Sequence, residues 1–197
     1  MGVGYAARMS RFNDLLIEQH GTAIEIPEAL ERAWRWMEAQ GFGSDAASGY
    51  VLAPYEGDEQ LGPVFAPNLT LEGWFAADAP AARRLLPIAE IAGDGSQAAL
   101  WVDEEGATRV VALDSDGEGY VLADSAEDFL VLLAIGYEEM KEFDFGEPPE
   151  DPDAVDAVEE FREWVGETLD VEVPEEWPEV GEDEFGDWLR EQLEAGA

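Results

Sequence analysis

Over the first forty positions apolar residues recur every three or four places, the spacing that lines one face of a helix. Two helices are predicted there, over residues 8–20 and 27–40. The second opens with Pro27 in its first turn, carries Leu30, Ala33, Trp34 and Met37 on one face, and ends before Gly41. From 41 to 84 glycine and proline break the apolar residues into short pieces, YVLAPY, PVFAPN and the LEGWF around Trp74, which predicts mostly loop with short strands.

The period then changes. ALWV at 99–102, TRVVALD at 108–114 and YVLAD at 120–124 are rich in strand formers and are separated by the turn sequences DEEGA and SDGEG, so a three-stranded antiparallel meander is expected. A helix follows from Ser125, a good N-cap, with Asp128 at the third helical position and Glu127 favourably placed near the positive helix end. Phe129, Leu130, Leu132, Leu133 and Ile135 make it apolar on more than one side, which predicts burial. After Phe145, GEPPEDPD marks a linker or exposed loop. Helical spacing resumes over 153–169 with Val155, Val158, Phe161, Trp164 and Val165. A VEVP strand or extended piece comes next, and then a last amphipathic helix near 182–194 with Phe185, Trp188, Leu189 and Leu193. This change of character divides the chain into a body, 1–145, and an acidic, mainly helical extension, 146–197. The aromatics of the extension argue for packing on the body rather than a free tail.

Hydrophobic residues make up 46% of the 197, enough for one sizeable core. Charge alters the picture more. Against 10 Lys and Arg stand 47 Asp and Glu, a formal net charge of -37, and residues 142–197 hold 22 of these acids beside two Arg. Such a field repels nucleic acid and anionic membranes, because phosphate binding needs Lys and Arg to displace counterions, and it draws in a basic partner. An acid-biased or salt-adapted proteome produces the same composition, and Lys141 is the single lysine beside nine arginines. With no Cys, disulfides, thiolate metal sites and thiol nucleophiles are excluded. The start lacks the apolar stretch of a signal peptide, no window has the length of a membrane span, and Ala6 stands where myristoylation of Gly2 wants Ser or Thr. A soluble, cytoplasmic protein is expected.

The residues with chemical potential each have a plainer reading. His20, the only histidine, stands before Gly21 at a helix end, where a cationic ring is stabilising, and no nucleophile signature such as G-x-S-x-G accompanies it. Asp114-Ser115-Asp116-Gly117-Glu118-Gly119 places acids at positions one and three and glycine at six of a calcium loop, but Glu118 is at five, Ser125 at twelve, and strands flank it. A polar hairpin turn is the favoured reading. Gly93-Asp94-Gly95-Ser96 lacks the lysine of a phosphate cradle and reads as a turn. Trp34, Trp164 and Trp188 fall on apolar helical stripes and are assigned to the core, whereas Trp36 and Trp74 are interface candidates if exposed.

Taken together, the LPIA...GDGS entry at Leu86 to Ser96, the strand ALW, the VV-x-L-x-S-x-G hairpin at Val110 to Gly117, and S-A-E-D-F-L-x-L-L-A-I-G-Y ending at Tyr137 resemble the SUKH superfamily of immunity and cell-wall regulatory proteins. The resemblance spans about 55 residues, Leu85 to Met140. It implies an α+β fold, a mostly antiparallel sheet with helices packed on it, and a non-enzymatic role. Bacterial members look like immunity proteins that neutralise a cognate toxin, and fungal members like regulatory scaffolds. No catalytic residue, cofactor or metal carries over. The expectation is therefore an immunity protein that occludes the active surface of a toxin, such as a basic nuclease, with a toxin-free scaffold or regulatory module as the alternative. Acid at both hairpin turns nominates Asp103, Glu104, Glu105, Asp116 and Glu118 as partner-binding residues, with Trp74 as an aromatic anchor.

Overall fold

The computed structural model describes residues 9–57, 59–76, 78–180 and 183–196, and it is an α+β fold. Its seven strands run as one antiparallel meander in chain order: β1 Gly43–Ala46, β2 Gly49–Leu52, β3 Val64–Phe65, β4 Leu85–Glu90, β5 Gln97–Val102, β6 Thr108–Leu113 and β7 Gly119–Ala123. The helices among the described residues are α1 Arg11–His20, α2 Glu28–Gln40, α3 Ala126–Ile135, α4 Pro152–Ala157, α5 Glu159–Leu169 and α6 Glu184–Gly196. The predicted meander is thus the centre of a larger sheet, extended through β4 and three short strands in the loop-rich region. β4 escapes a sequence reading because Pro87 sits inside it, and a strand interior disfavours proline. The pairing register shifts between Pro87 and Ala89, a bulge that accommodates the ring.

Alternation along β4 to β7 sends side chains to two different cores. Leu86, Ile88, Leu100, Val110 and Leu122 face α1, α2, α3 and α5, where Phe12, Trp34, Phe65 and Phe129 pack edge to face or tilted. On the opposite face Leu85, Ala99, Trp101, Val111 and Leu113 are covered by Phe185, Trp188 and Leu189 of α6, with Trp74 and Phe75 at the margin. A sheet apolar on both faces needs both covers, and the C-terminal segment supplies one of them. α1 is tied to α2 by glutamates: Glu31 accepts from the Ser10 amide, the Ser10 hydroxyl and the Asn13 amide side chain, and Glu38 accepts from the Arg11 and Phe12 amides.

As expected from its all-round apolarity, α3 is buried, and Ser125 caps it by accepting from the Asp128 amide at 3.1 Å. Its other end is closed by Gly136 in the left-handed conformation and by Arg162, which donates to the Ala134 and Ile135 carbonyls at 2.8 and 3.1 Å. These are carbonyls that a helix leaves without partners, and the guanidinium also meets the negative end of the dipole. The expected helix over 153–169 is broken at Val158, and Arg162 additionally takes the Val155 carbonyl beside the break. VEVP forms no strand. Pro174 and Pro178 remove amides from that stretch. The chain lies along the β7 edge and bonds it through side chains, the Trp177 indole donating to the Leu122 carbonyl and the Asp183 carboxylate accepting from the Val121 amide. That arrangement covers an otherwise open edge. Asp183 also caps α6, which begins at Glu184; Glu182 at the expected start lies outside the described residues, as does Arg8 at the start of the first expected helix.

If α6 is an integral layer, Phe185→Ala, at a fully buried ring against Trp101, lowers unfolding free energy by about 3–4 kcal/mol in urea titration. A loss below about 1 kcal/mol would mean that α6 is a loosely held appendage.

Candidate functional site

Successive hairpin turns of a meander fall on alternate ends of the sheet. The turns after β4 and after β6 therefore share one end, and the single lysine of the chain joins them there. In the first turn Gly95, at φ 93°, lets the Asp94 carboxylate fold back to accept from the Ser96 amide and hydroxyl at 3.0 and 2.7 Å. In the second, Gly117 makes a similar turn, and Asp114 accepts from the Asp116 amide at 3.1 Å. The Ser115 amide donates to Ser96 Oγ at 3.0 Å and the Ser115 hydroxyl to Asp94 at 2.8 Å, so the turns touch directly. Lys141 arrives from the segment after α3, which is held by the Met140 amide on the Ile91 carbonyl and by the Tyr120 hydroxyl on the Met140 carbonyl. Its Nζ donates to Asp94, to Ser96 Oγ at 2.9 Å and to both oxygens of Asp114 at 3.1 and 2.9 Å.

The lysine side chain is 7% exposed, Asp114 13% and Asp94 43%. Burial alone pulls the Lys141 ammonium toward deprotonation, but its hydrogen bonds to Asp94 and Asp114 and their charges outweigh it and leave its pKa above the ordinary lysine value. The hydrogen bond from Lys141 holds the Asp94 carboxyl far below the usual range, against a small burial penalty, with Ser96 and Ser115 assisting. These directions decide the chemistry. A lysine next to a serine is a potential base for a nucleophile only when it is neutral, and this one is held charged; Ser96 itself is fully buried. The cluster is an ionic clamp on three loops. It also explains both motif-like stretches: the Gly93–Ser96 turn and the Asp114–Gly119 turn direct carboxylates at an ammonium.

The nominated partner-binding residues are split by the same geometry. Asp103, Glu104 and Glu105 stand on the turn after β5, at the end opposite Asp116 and Glu118, with six-residue strands of roughly 20 Å between them. Asp103 is buried and committed to its own turn, accepting from the Glu105 and Ala107 amides at 2.9 and 2.8 Å and lying 3.7 Å from Arg109. Glu104, Glu105, Asp116 and Glu118 are exposed. Trp74 is half-buried against the α6 face. Trp36 is no free aromatic either, since it stacks on Trp164 at 5.3 Å and 26° and packs against Phe161. Of the tryptophans assigned to the core, Trp34 is fully buried and Trp188 nearly so, while Trp164 is half-buried.

His20 Nε2 donates to the Pro67 carbonyl at 2.9 Å, and burial lowers its pKa, partly offset by that bond. It lines an open, largely apolar cleft of about 780 Å³ with Ile24, Leu71, Phe75, Arg83 and Leu86, and among the described residues no second titratable group is hydrogen-bonded to its ring. Among the described residues no three His, Asp or Glu are gathered to hold a metal ion, and no helix is long and apolar enough to cross a membrane.

Sequence reading passed over Lys141, although a single lysine in so acidic a chain was a usable signal. It also passed over Phe143, which is 81% exposed on a short 3-10 turn, Glu142–Asp144, beside the clamp. Compared with protein-family models, curated proteins and solved structures, the chain matches none.

Removing one member of a buried pair strands the other, so Lys141→Met should cost about 2–4 kcal/mol, mainly through Asp114. Adding Asp94→Asn and Asp114→Asn to that variant should recover part of the loss. Equal stability of wild type and the single variant in urea would refute the clamp. The pH dependence has a defined sign. Asp94, depressed in the fold, stabilises above the ordinary aspartate value of about 3.9 and loses that contribution as pH falls further; raised Lys141 stabilises below about 10.4 and loses its contribution as pH rises through the folded value. The gap between wild type and Lys141→Met should stay level from about pH 5 to about pH 9 and shrink below about pH 4.

Proposed function

We propose that this protein is a non-enzymatic, cytoplasmic binding protein that recognises a basic protein surface, and that its partner is a toxin neutralised by occlusion, as the SUKH-like segment Leu85 to Met140 implies. One observation carries the basic-partner reading: among the described residues most cations are committed to the protein's own structure, while most carboxylates face out. Lys141 is buried between Asp94 and Asp114. Arg162 caps α3, Arg84 donates to the Val102 carbonyl at 2.7 Å, and Arg109 sits among Asp103, Asp124 and Glu184. Arg11, Arg35 and Arg190 pair with Asp45, Glu31 and Asp187. The formal charge of -37 is therefore expressed at the surface with little local compensation. A partner with Lys and Arg at its own functional surface is attracted and steered, and nucleic acid is excluded. Ser96 is buried against a Lys141 ammonium held by two carboxylates, and the His20 ring donates to the Pro67 carbonyl; both commitments favour binding over turnover.

The test is binding to, and neutralisation of, the product of the reading frame adjacent to this one. Affinity should be submicromolar, and the association rate should fall about tenfold or more between about 50 and about 300 mM NaCl. Failure to bind that product, or binding with a salt-independent rate, would reject the reading.

A further inference from the structure

Acid is everywhere on this chain, so a cluster of carboxylates marks nothing by itself. Phe143 is the separate feature. Its neighbours Lys141 and Phe145 turn inward and are buried, while the 3-10 turn between them holds the Phe143 ring out to solvent. Among the described residues the only other large hydrophobic side chains exposed are Met9 at 44% and Val171 at 41%, against 81% for Phe143, so this is the one aromatic ring presented to solvent. The clamp beneath fixes where it stands: the Asp144 carboxylate accepts from the Lys141 amide at 3.2 Å, closing the turn on the residue whose ammonium joins the three loops.

The ring separates two grooves of about 310 Å³ each. One is lined by Tyr137, Pro148 and Pro149 together with Glu138, Glu147 and Glu150, none of which has a cationic partner among the described residues. The other is lined by Glu142, Phe145, Glu179 and Val180. Asp144, at the bottom of the turn, is pushed above the ordinary aspartate value by burial and further by the charges of Glu139 and Glu150, which exceeds the relief from the Lys141 amide. Negative charge is thus crowded around an apolar ring, and the nearby Lys141 ammonium, already paired with Asp94 and Asp114, offsets only part of it.

We infer that Phe143 and its two flanking grooves form the docking face for the partner, and that the occupant is an arginine-bearing cationic segment of a protein. Charge complementarity selects a cation, and the exposed ring selects arginine over lysine, because a guanidinium stacks flat on an aromatic face while its remaining N–H groups reach carboxylates on either side. Glu118 stands at this same end, whereas Asp103, Glu104 and Glu105 stand at the other. This assignment rests on the basic-partner reading above.

Two fluorescently labelled peptides, one alternating Arg with Gly and one alternating Lys with Gly at equal charge, serve as probes of the full chain at low salt. Phe143→Ala should weaken the arginine peptide about tenfold and the lysine peptide far less, with an unchanged thermal melt because the ring is solvent-exposed. Neutralising Glu138, Glu147 and Glu150 to Gln should weaken both by about tenfold or more. The control pair Glu104→Gln and Glu105→Gln should stay within about twofold, and bound peptide should slow amide exchange over 137–151. If Phe143→Ala binds the arginine peptide as wild type does, or the control pair costs as much as the groove variant, the docking face is wrong while the basic-partner reading survives. If wild type binds neither peptide, both fall.

Discussion

One buried ammonium holds together an end of this molecule that would otherwise push itself apart. The turns after β4 and β6 each carry an aspartate that points toward the other, and the segment after α3 approaches the same spot with more acid on it. Without a cation these three loops meet as like charges in partial burial, where repulsion is poorly screened. Lys141 turns the conflict into a network in which Asp94, Asp114, Ser96 and Ser115 are all hydrogen-bonded. Replacing a buried ion pair by apolar groups is often neutral, so the clamp is best understood as fixing which loops lie together rather than as a large source of stability.

The same logic runs through the rest of the fold. Positive groups are few, and several stand at joints: Arg162 at the end of α3, Arg109 between the sheet and α6, and Arg84, just before β4, on the Val102 carbonyl at the end of β5. Glutamates do the converse at the start of α1, where backbone amides offer positive ends. What remains is a shell of carboxylates around two apolar layers. The position of Phe143 follows from this arrangement, since the turn that exposes it is anchored by Lys141 and closed by Asp144.

Sequence periodicity located α2, α3, α6 and strands β5 to β7 because each has a full apolar stripe or a clean alternation of its own. The α+β class follows from those elements. It could not locate β4, whose proline sits at a bulge in the pairing with β5; β3, two residues long, falls in PVFAPN within the stretch expected to hold short strands, but its bounds are defined by its neighbours. VEVP had the composition of a strand, but Pro174 ends it, and the chain beyond it bonds the sheet edge through the Trp177 and Asp183 side chains, a choice made by tertiary contact. For the site the limits were sharper. Asp103 and Asp116 look alike as turn acids, yet one is buried on its own backbone and the other exposed, and the alternation of hairpin ends places them apart. Lys141 was visible as a singular residue, but its partners lie 27 and 47 positions away, beyond local pattern.

Native-state hydrogen exchange, read by mass spectrometry, tests the clamp most directly. If Lys141 unites the three loops, amides of 91–96, 114–118 and 139–145 open with one shared free energy in wild type, and Lys141→Met accelerates all three together while the 103–107 turn is unaffected. Independent opening of the three segments in wild type, or acceleration confined to the segment that carries the substitution, would contradict it.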